Sequence, residues 1–263
     1  QPLKPGEEKY AISFAIPMNT KGLKVMSRKS YEESATSSFD YPLSARYDEN
    51  DALVYCDDVK VPWDRVFIYK DTETARGQFQ DTYAHYMQNY QAMTRLMVKM
   101  QFQVGVARRM CETIGTIGIP SVAEKLGHMA AQAAMVEGLV YGMESGGGMF
   151  NGYYVPDRNL MYTAQVLTQQ LYPEFITSMR ELAGGGLIML PSSAEDFTDP
   201  DLNRYINATQ KSAIGTAEEK VKFMKLAWDC IGSEFASRHT QYEMFYAGAQ
   251  FVTRGHAMRT YDW

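Results

Sequence analysis

Four histidines, three cysteines and one cluster of hydrogen-bond donors are the side chains of this chain best suited to proton transfer, metal ligation or anion binding. His85 lies in Tyr83-Ala84-His85-Tyr86, where helical spacing begins, and off the methionine seam of that helix. With an ordinary pKa of about 6.5 and tyrosines on either side, it is a candidate general base; a helix-start histidine bonded to backbone is the other open reading. Ser237-Arg238-His239 comes directly after Val221, Met224, Trp228, Ile231 and Phe235, which share one helical face. An apolar wall ending in donors suits a flat aromatic ligand with an anionic group, and equally a core helix with a solvated polar end. His128 falls beside the apolar face of another helix and reads as a core or surface residue, and His256 as a solvated residue of a polar tail.

Cys56, Cys111 and Cys230 are scattered and odd in number, which fits neither a disulfide framework nor a zinc site, so no metal is expected. Free thiols in an acidic protein point to the reducing cytoplasm. Arg95 and Lys99, four apart and off the methionine seam, suit a solvated face better than a partner subunit or a phosphate. Arg46, surrounded by acids, reads as an ion-paired loop anchor. No glycine-rich phosphate loop follows a strand, and neither GxSxG nor HExxH occurs; both glycine triplets, 146–148 and 184–186, read as helix terminators.

The net charge of −5 offers no basic stripe for nucleic acid. No apolar run approaches the roughly 20 residues of a membrane span, and no charged-then-apolar leader opens the chain. The 17 methionines and 18 tyrosines suit an aromatic pocket, although a Met-rich helical core explains most of them. A start at Gln1 and an end at Trp263 suggest a piece of something longer.

These residues need elements to position them. Residues 10–17 form an apolar run closed by proline and are expected to be a buried strand. Residues 21–26 are expected as a turn then a strand, and further strands at 52–56, 59–61 and 66–69, with Asp57-Asp58 as a tight turn and 30–50 as a long loop. From about residue 72 the period turns helical, with Met87, Tyr90, Met93, Met97, Met100, Val104, Ala107 and Cys111 on one seam. A second helix starts at a Ser121 cap and ends near Glu144. A third starts at an Asp157 cap and ends near Leu182, with a kink or break at Pro173. A short helix over 200–210 precedes the 215–248 stretch, whose Thr216 cap and acidic first turn open the last helix. The expected fold is α+β, mainly α: a partial β domain at 1–71, then an antiparallel four-helix bundle at 72–263.

Four stretches, SYEESATSSFDYPLSARYDENDALVYCDDVKVPWDRV (30–66), NGYYVPD (151–157), GGGLIMLPSS (184–193) and KLAWDCIGSEFASRH (225–239), resemble the 4-hydroxyphenylacetate 3-hydroxylase family. These are oxygenase components of two-component flavin-dependent monooxygenases, and the resemblance covers nearly the whole chain in order. Tyr83-Ala84-His85-Tyr86 is similar to the branch acting on chlorophenols and nitrophenols. The resemblance implies an acyl-CoA-dehydrogenase-like fold, usually assembled as a tetramer, of which a helical N-terminal domain, the opening strands and a C-terminal tail are missing here. The family's Arg/Tyr/His substrate cluster and much of its flavin site would lie in that missing part.

For function, the resemblance implies a reduced-FAD-dependent hydroxylation of a halo- or nitrophenol through a flavin C4a-hydroperoxide. O2 would be the co-substrate, a separate reductase would supply the flavin, and halide or nitrite would be lost. His85 would deprotonate the phenol, since a phenolate is the better nucleophile. Phe235 would contact the aromatic substrate, Ser237, Arg238 and His239 would contact the flavin, and 184–190 would help line the site. The alternatives are ortho-hydroxylation of the 4-hydroxyphenylacetate type without a leaving group, or, for this piece alone, a non-catalytic tetramerisation domain. The piece by itself is expected to be inactive.

Overall fold

The computed structural model describes residues 3–263. In chain order its elements are β1 (Ile12–Phe14), β2 (Leu23–Ser27), α1 (Ser44–Tyr47), β3 (Ala52–Cys56), β4 (Val66–Tyr69), α2 (Thr72–Asp81), α3 (Ala84–Ile114) and α4 (Pro120–Ser145). There follow β5 (Gly148–Phe150), β6 (Tyr153–Val155), α5 (Arg158–Ala183), α6 (Pro200–Thr209), α7 (Ala217–Ile231), α8 (Glu234–Phe245) and α9 (Gln250–Thr260). The protein is mainly helical, with short strands. It divides into two compact units, one made of 1–30 and 49–88 and the other of 31–48 and 89–263.

In the first unit, β2 pairs antiparallel with β3 from Leu23↔Cys56 to Ser27↔Ala52, and β1 pairs with β4 from Ile12↔Tyr69. Residues 59–61, expected as a strand, form none: Asp58 takes φ 53°, the Asp57 N–H closes onto Gly22 O, and the chain turns away from the ladder. The strand expected to be buried at 10–17 is short and largely open, with Ala11 its buried residue. Asp71 caps α2 by accepting from the Glu73 and Thr74 N–H groups. Tyr83 then adopts φ 61°, which separates α2 from α3.

In the second unit, α4 packs on α5, α5 on α8 and α9, and α7 on α8. The core is filled by Leu96, Met100 and Met110 of α3, Met129 and Met143 of α4, Tyr162, Tyr172, Phe175 and Met179 of α5, and Met224 and Ile231 of α7. Methionine's three flexible torsions fill the irregular gaps between these helices, which accounts for much of its abundance. Asp157 caps α5 as expected, and α5 continues through Pro173 without ending. The α4 cap differs: Ile119 holds that position with Pro120 in the first turn, where a missing N–H costs nothing.

Two segments depart from the sequence expectation. Asn151 and Gly152 both take positive φ, 46° and 85°, and so close β5 and β6 into a hairpin that helical period counting passed over. Residues 250–260 form α9 rather than a polar tail. It is tied to α5 by Gln169, which donates to Met244 O and Gly248 O and accepts from the Thr253 hydroxyl. Among the described residues, no helix is long and apolar enough to cross a membrane, and no group of His, Cys, Asp and Glu is placed to hold a metal.

Candidate functional site

The stretch expected as one helix is two. Thr216 and Glu219 form a reciprocal capping box at the start of α7, as the sequence indicates. α7 stops at Gly232, and the Trp228 ring folds over that residue, where it would meet a Cβ at 2.4 Å. Ser233 restarts the chain as the cap of α8, its hydroxyl accepting from Ala236 N–H at 3.1 Å. Trp228 therefore leaves the apolar face and is substantially exposed. Ser237, Arg238 and His239 lie in the opening turns of α8 rather than at the end of a helix.

This break sets the Phe235 environment. Phe235 is 6% exposed, with the His239 ring edge-on at 4.4 Å and the Tyr31 ring at 6.5 Å. Tyr31 belongs to the 31–48 segment, which is anchored on buried Asp229. That carboxylate accepts from Leu43 N–H, Ser44 N–H and the Ser44 hydroxyl on one oxygen and from the Ser233 hydroxyl on the other. The expected anchor, Arg46, is exposed. The long loop is thus held by an aspartate from the end of α7, which also orients the α8 cap.

Around His239 lies a charge network. Lys99 Nζ stands 3.1 Å from His239 Nδ1 and 2.5 Å from one Glu243 oxygen, while Arg95 donates to the other Glu243 oxygen at 2.9 Å. The Glu243 side chain is 3% exposed. Arg95 and Lys99 are therefore not a solvated face, as their spacing suggests, but the two partners of a buried carboxylate. The Arg95 guanidinium also lies 4.3 Å from the Tyr242 ring centroid, and Arg238 lies 5.6 Å from it. Behind them, Gln103 donates to the Tyr172 hydroxyl at 3.0 Å and lies 3.5 Å from Cys230 Sγ.

Protonation follows from this packing. Burial, then the nearby Lys99, Arg238 and Arg95 cations, push the His239 imidazole down to about 3, so it is neutral at physiological pH. Burial raises the Cys230 thiol to about 11, which makes it a packing group rather than a nucleophile. Burial also raises the Tyr172 phenol far above its usual range. His239 Nε2 is buried and has no hydrogen-bond partner among the described residues. Such an atom is a standing desolvation penalty that a ligand acceptor would relieve.

The remaining sequence candidates fall as follows. Ser237 is exposed and Arg238 half-buried. Within 184–190, Ile188 and Met189 are 79% and 76% exposed. His256 is not a solvated tail residue: its ring stacks on buried Tyr162 at 5.0 Å with 6° between planes. His128 is exposed, 3.8 Å from Glu174. His85 belongs to the first unit, in the opening turn of α3, with the Tyr86 ring edge-on at 5.9 Å. It is half-buried, and that burial lowers its pKa below the ordinary value assumed from sequence.

A neutral histidine donor, a buried aromatic and arginines over tyrosine rings form a set that fits an acceptor-rich planar ring. The family model for the 4-hydroxyphenylacetate 3-hydroxylase C-terminal region matches residues 75–263, and that for the N-terminal region matches 1–68. The chain belongs to the 4-hydroxyphenylacetate 3-hydroxylase family. Among its relatives is a 4-hydroxyphenylacetate 3-monooxygenase oxygenase component from Pseudomonas aeruginosa, 36% identical over 95% of this chain and 49% of the relative. The oxygenase component of 4-nitrophenol 2-monooxygenase from a Rhodococcus species is 34% identical over 97% of this chain and 50% of that protein.

A crystal structure of a 4-hydroxyphenylacetate 3-monooxygenase oxygenase component, complexed with FAD and 4-hydroxyphenylacetate, superposes at a TM-score of 0.92. It is 33% identical, and the match covers 99% of this chain and 54% of that one. An oxygen-tolerant archaeal 4-hydroxybutyryl-CoA dehydratase, 20% identical with a TM-score of 0.86, shares the fold. The chain thus spans about half the length of the curated relatives it matches.

Arg95, Lys99 and Glu243 form the network around His239 that sequence reasoning did not bring together. A basic pair at i and i+4 was visible, but the acid it serves lies 148 and 144 residues away. Nothing local connects them.

Proposed function

We propose that the whole protein is the oxygenase component of a two-component system, hydroxylating a phenol with reduced FAD and O2. The observation that carries this reading is buried Phe235 in edge contact with neutral His239, whose Nε2 lacks a partner. The family assignment and the FAD-bound relative support it. Phe235 would contact the aromatic substrate, and Ser237, Arg238 and His239 would hold the flavin. The bound flavin supplies the oxygen-transfer chemistry; this chain's residues position rings, exclude water and manage protons.

His85 would accept the phenol proton at an imidazole nitrogen, since its lowered pKa keeps it unprotonated at physiological pH. We propose a halo- or nitrophenol as substrate, with loss of halide or nitrite; the histidine at position 85 and the nitrophenol-acting relative support that choice. We further propose a bundle domain over 72–263 following a partial β domain over 1–71, an acyl-CoA-dehydrogenase-like architecture, assembly as a tetramer and a cytoplasmic location. The reductase is a separate protein. The half of the relatives' length outside this chain would supply the rest of the substrate and flavin site.

Giving the full-length protein reduced FAD, O2 and a para-chlorophenol, then assaying chloride and hydroxylated product, tests this reading. Chloride released in step with product supports it. Catechol without chloride favours ortho-hydroxylation of the 4-hydroxyphenylacetate type, the activity in the name of the Pseudomonas relative. If the full-length protein neither binds reduced FAD nor forms product, the bundle serves assembly alone.

A further inference from the structure

The buried network of α3 and α8 holds more than an ion pair. We propose that Lys99 is a positioning residue that fixes the tautomer of His239, so that Nε2–H is the donor offered to a carbonyl oxygen or pyridine-type nitrogen of the cofactor ring. This rests on the flavin reading above for the identity of the acceptor. The tautomer itself follows from the geometry and from the charge on Lys99.

A lysine ammonium has three N–H donors and no acceptor. At 3.1 Å from His239 Nδ1, Lys99 Nζ can only donate, so Nδ1 must present its lone pair and the ring proton sits on Nε2. The opposite tautomer would set N–H against N–H in a buried place. Glu243 keeps the ammonium aimed: it accepts from Lys99 on one oxygen and from Arg95 on the other, and with 3% exposure it has no solvent to turn to. Burial lowers the Lys99 pKa from its ordinary value, and the Glu243 carboxylate, which would be short of a donor without that proton, opposes the shift and favours the ammonium.

The charged and titratable groups facing the ring are Lys99 and Arg95 from α3, Arg238 and Glu243 from α8, and Asp48 from the 31–48 segment. Cations predominate, so an added proton on the imidazole is disfavoured. Phe235, edge-on at 4.4 Å, restricts ring rotation. The result is a neutral histidine with one orientation and one buried N–H to give.

The test uses the full-length protein labelled with 15N-histidine. His239→Gln assigns the resonance. The expected wild-type spectrum shows Nδ1 unprotonated and Nε2 protonated, unchanged from pH 8 to pH 5. Lys99→Met is expected to release the ring into a mixture of tautomers and to weaken reduced-FAD binding about tenfold, roughly the worth of one hydrogen bond to a neutral donor. Lys99→Arg, which keeps a donor at Nδ1, restores both. Lys99→Met combined with Glu243→Gln removes the orphaned carboxylate and serves where the single variant is poorly folded; it should show the same mixture. A wild-type ring protonated on Nδ1, or a tautomer indifferent to Lys99→Met, overturns the proposal. If the tautomer responds as expected but neither Lys99→Met nor His239→Gln alters reduced-FAD binding, the flavin reading of His239 is what fails.

Discussion

Asp229 and Ser44 stand 185 residues apart in sequence, and one Asp229 carboxylate oxygen accepts both the Ser44 backbone N–H at 2.7 Å and its hydroxyl at 3.1 Å. That contact makes the end of α7 the anchor of the 31–48 segment, and through it Tyr31 reaches the edge of Phe235. Asp229→Ala should therefore destabilise the protein by about 2–3 kcal/mol, since several charge-assisted bonds to buried donors are lost at once. Urea unfolding measures the loss. Amide exchange at Ser44 should accelerate far more than exchange within α4; uniform acceleration would argue against a local anchor.

Asp40 and Lys225 form a second buried tie, 3.0 Å long, with side-chain exposures of 3% and 11%. Burial pushes the Asp40 carboxyl up, but hydrogen bonds from Ser37, Ala194 and Lys225 outweigh it and hold the pKa below its ordinary value. Its stabilisation is thus present above the unfolded carboxylate range and is lost as the pH falls through the folded value. Lys225→Met alone should cost about 3–5 kcal/mol by stranding a buried charge, and Lys225→Met with Asp40→Leu much less than the sum of the two single changes. A double-mutant cycle in urea reads the coupling, and additive losses would contradict it.

His239 gives the protein an acid sensitivity of opposite origin. Its folded pKa, about 3, lies below the ordinary histidine value, so the unfolded chain binds the extra proton first. Stability is therefore full above about pH 6.5 and declines below it, by up to about 1.4 kcal/mol per pH unit, until the folded value is reached. His239→Gln should flatten that decline between about pH 6 and pH 4. An unchanged slope in the variant would assign the acid sensitivity to carboxylates instead.

For His85 the direction is the same and the readout is catalytic. Burial lowers its pKa, so the acid limb of turnover against pH in the full-length enzyme should fall below the ordinary histidine value of about 6.5. His85→Ala should lower turnover by about 10²-fold or more, most strongly below the pKa of the phenol used, where the substrate arrives protonated. An equal loss at every pH would remove the base role.

Gly232 is required by contact rather than by backbone angle, because a Cβ there would meet the Trp228 ring at 2.4 Å. Gly232→Ala should cost about 1–3 kcal/mol through forced displacement of that ring. Adding Trp228→Ala should recover part of the loss, measured as a rise in thermal midpoint over the single Gly232 variant.

Much of the architecture was legible because it is local. The 3.6-residue period placed α3, α4 and α5, the Asp157 and Thr216 caps announced α5 and α7, and β-rich spacing marked β2, β3 and β4. The hairpin at Asn151-Gly152 is also written in the chain as an Asn-Gly turn, but its strands are only three residues each and lie between two long helical periods. The strand expected at 59–61 failed for a non-local reason: β3 found its partner in β2, at Val25↔Val54 and its neighbours, and left the next segment unpaired.

The candidate site divides along the same line. Residue types and resemblance were enough to name His85, Phe235, Ser237, Arg238 and His239, because helical spacing and motif order are properties of neighbouring residues. That Arg95 and Lys99 serve a buried acid, that Asp229 rather than Arg46 holds the 31–48 segment, and that His239 is neutral with one nitrogen engaged were decided only when α3, α7 and α8 packed together. A charged side chain looks alike in sequence whether water or a carboxylate meets it. Its partner, burial and proton are set by helices more than a hundred residues away, and only the tertiary structure brings those to hydrogen-bond distance.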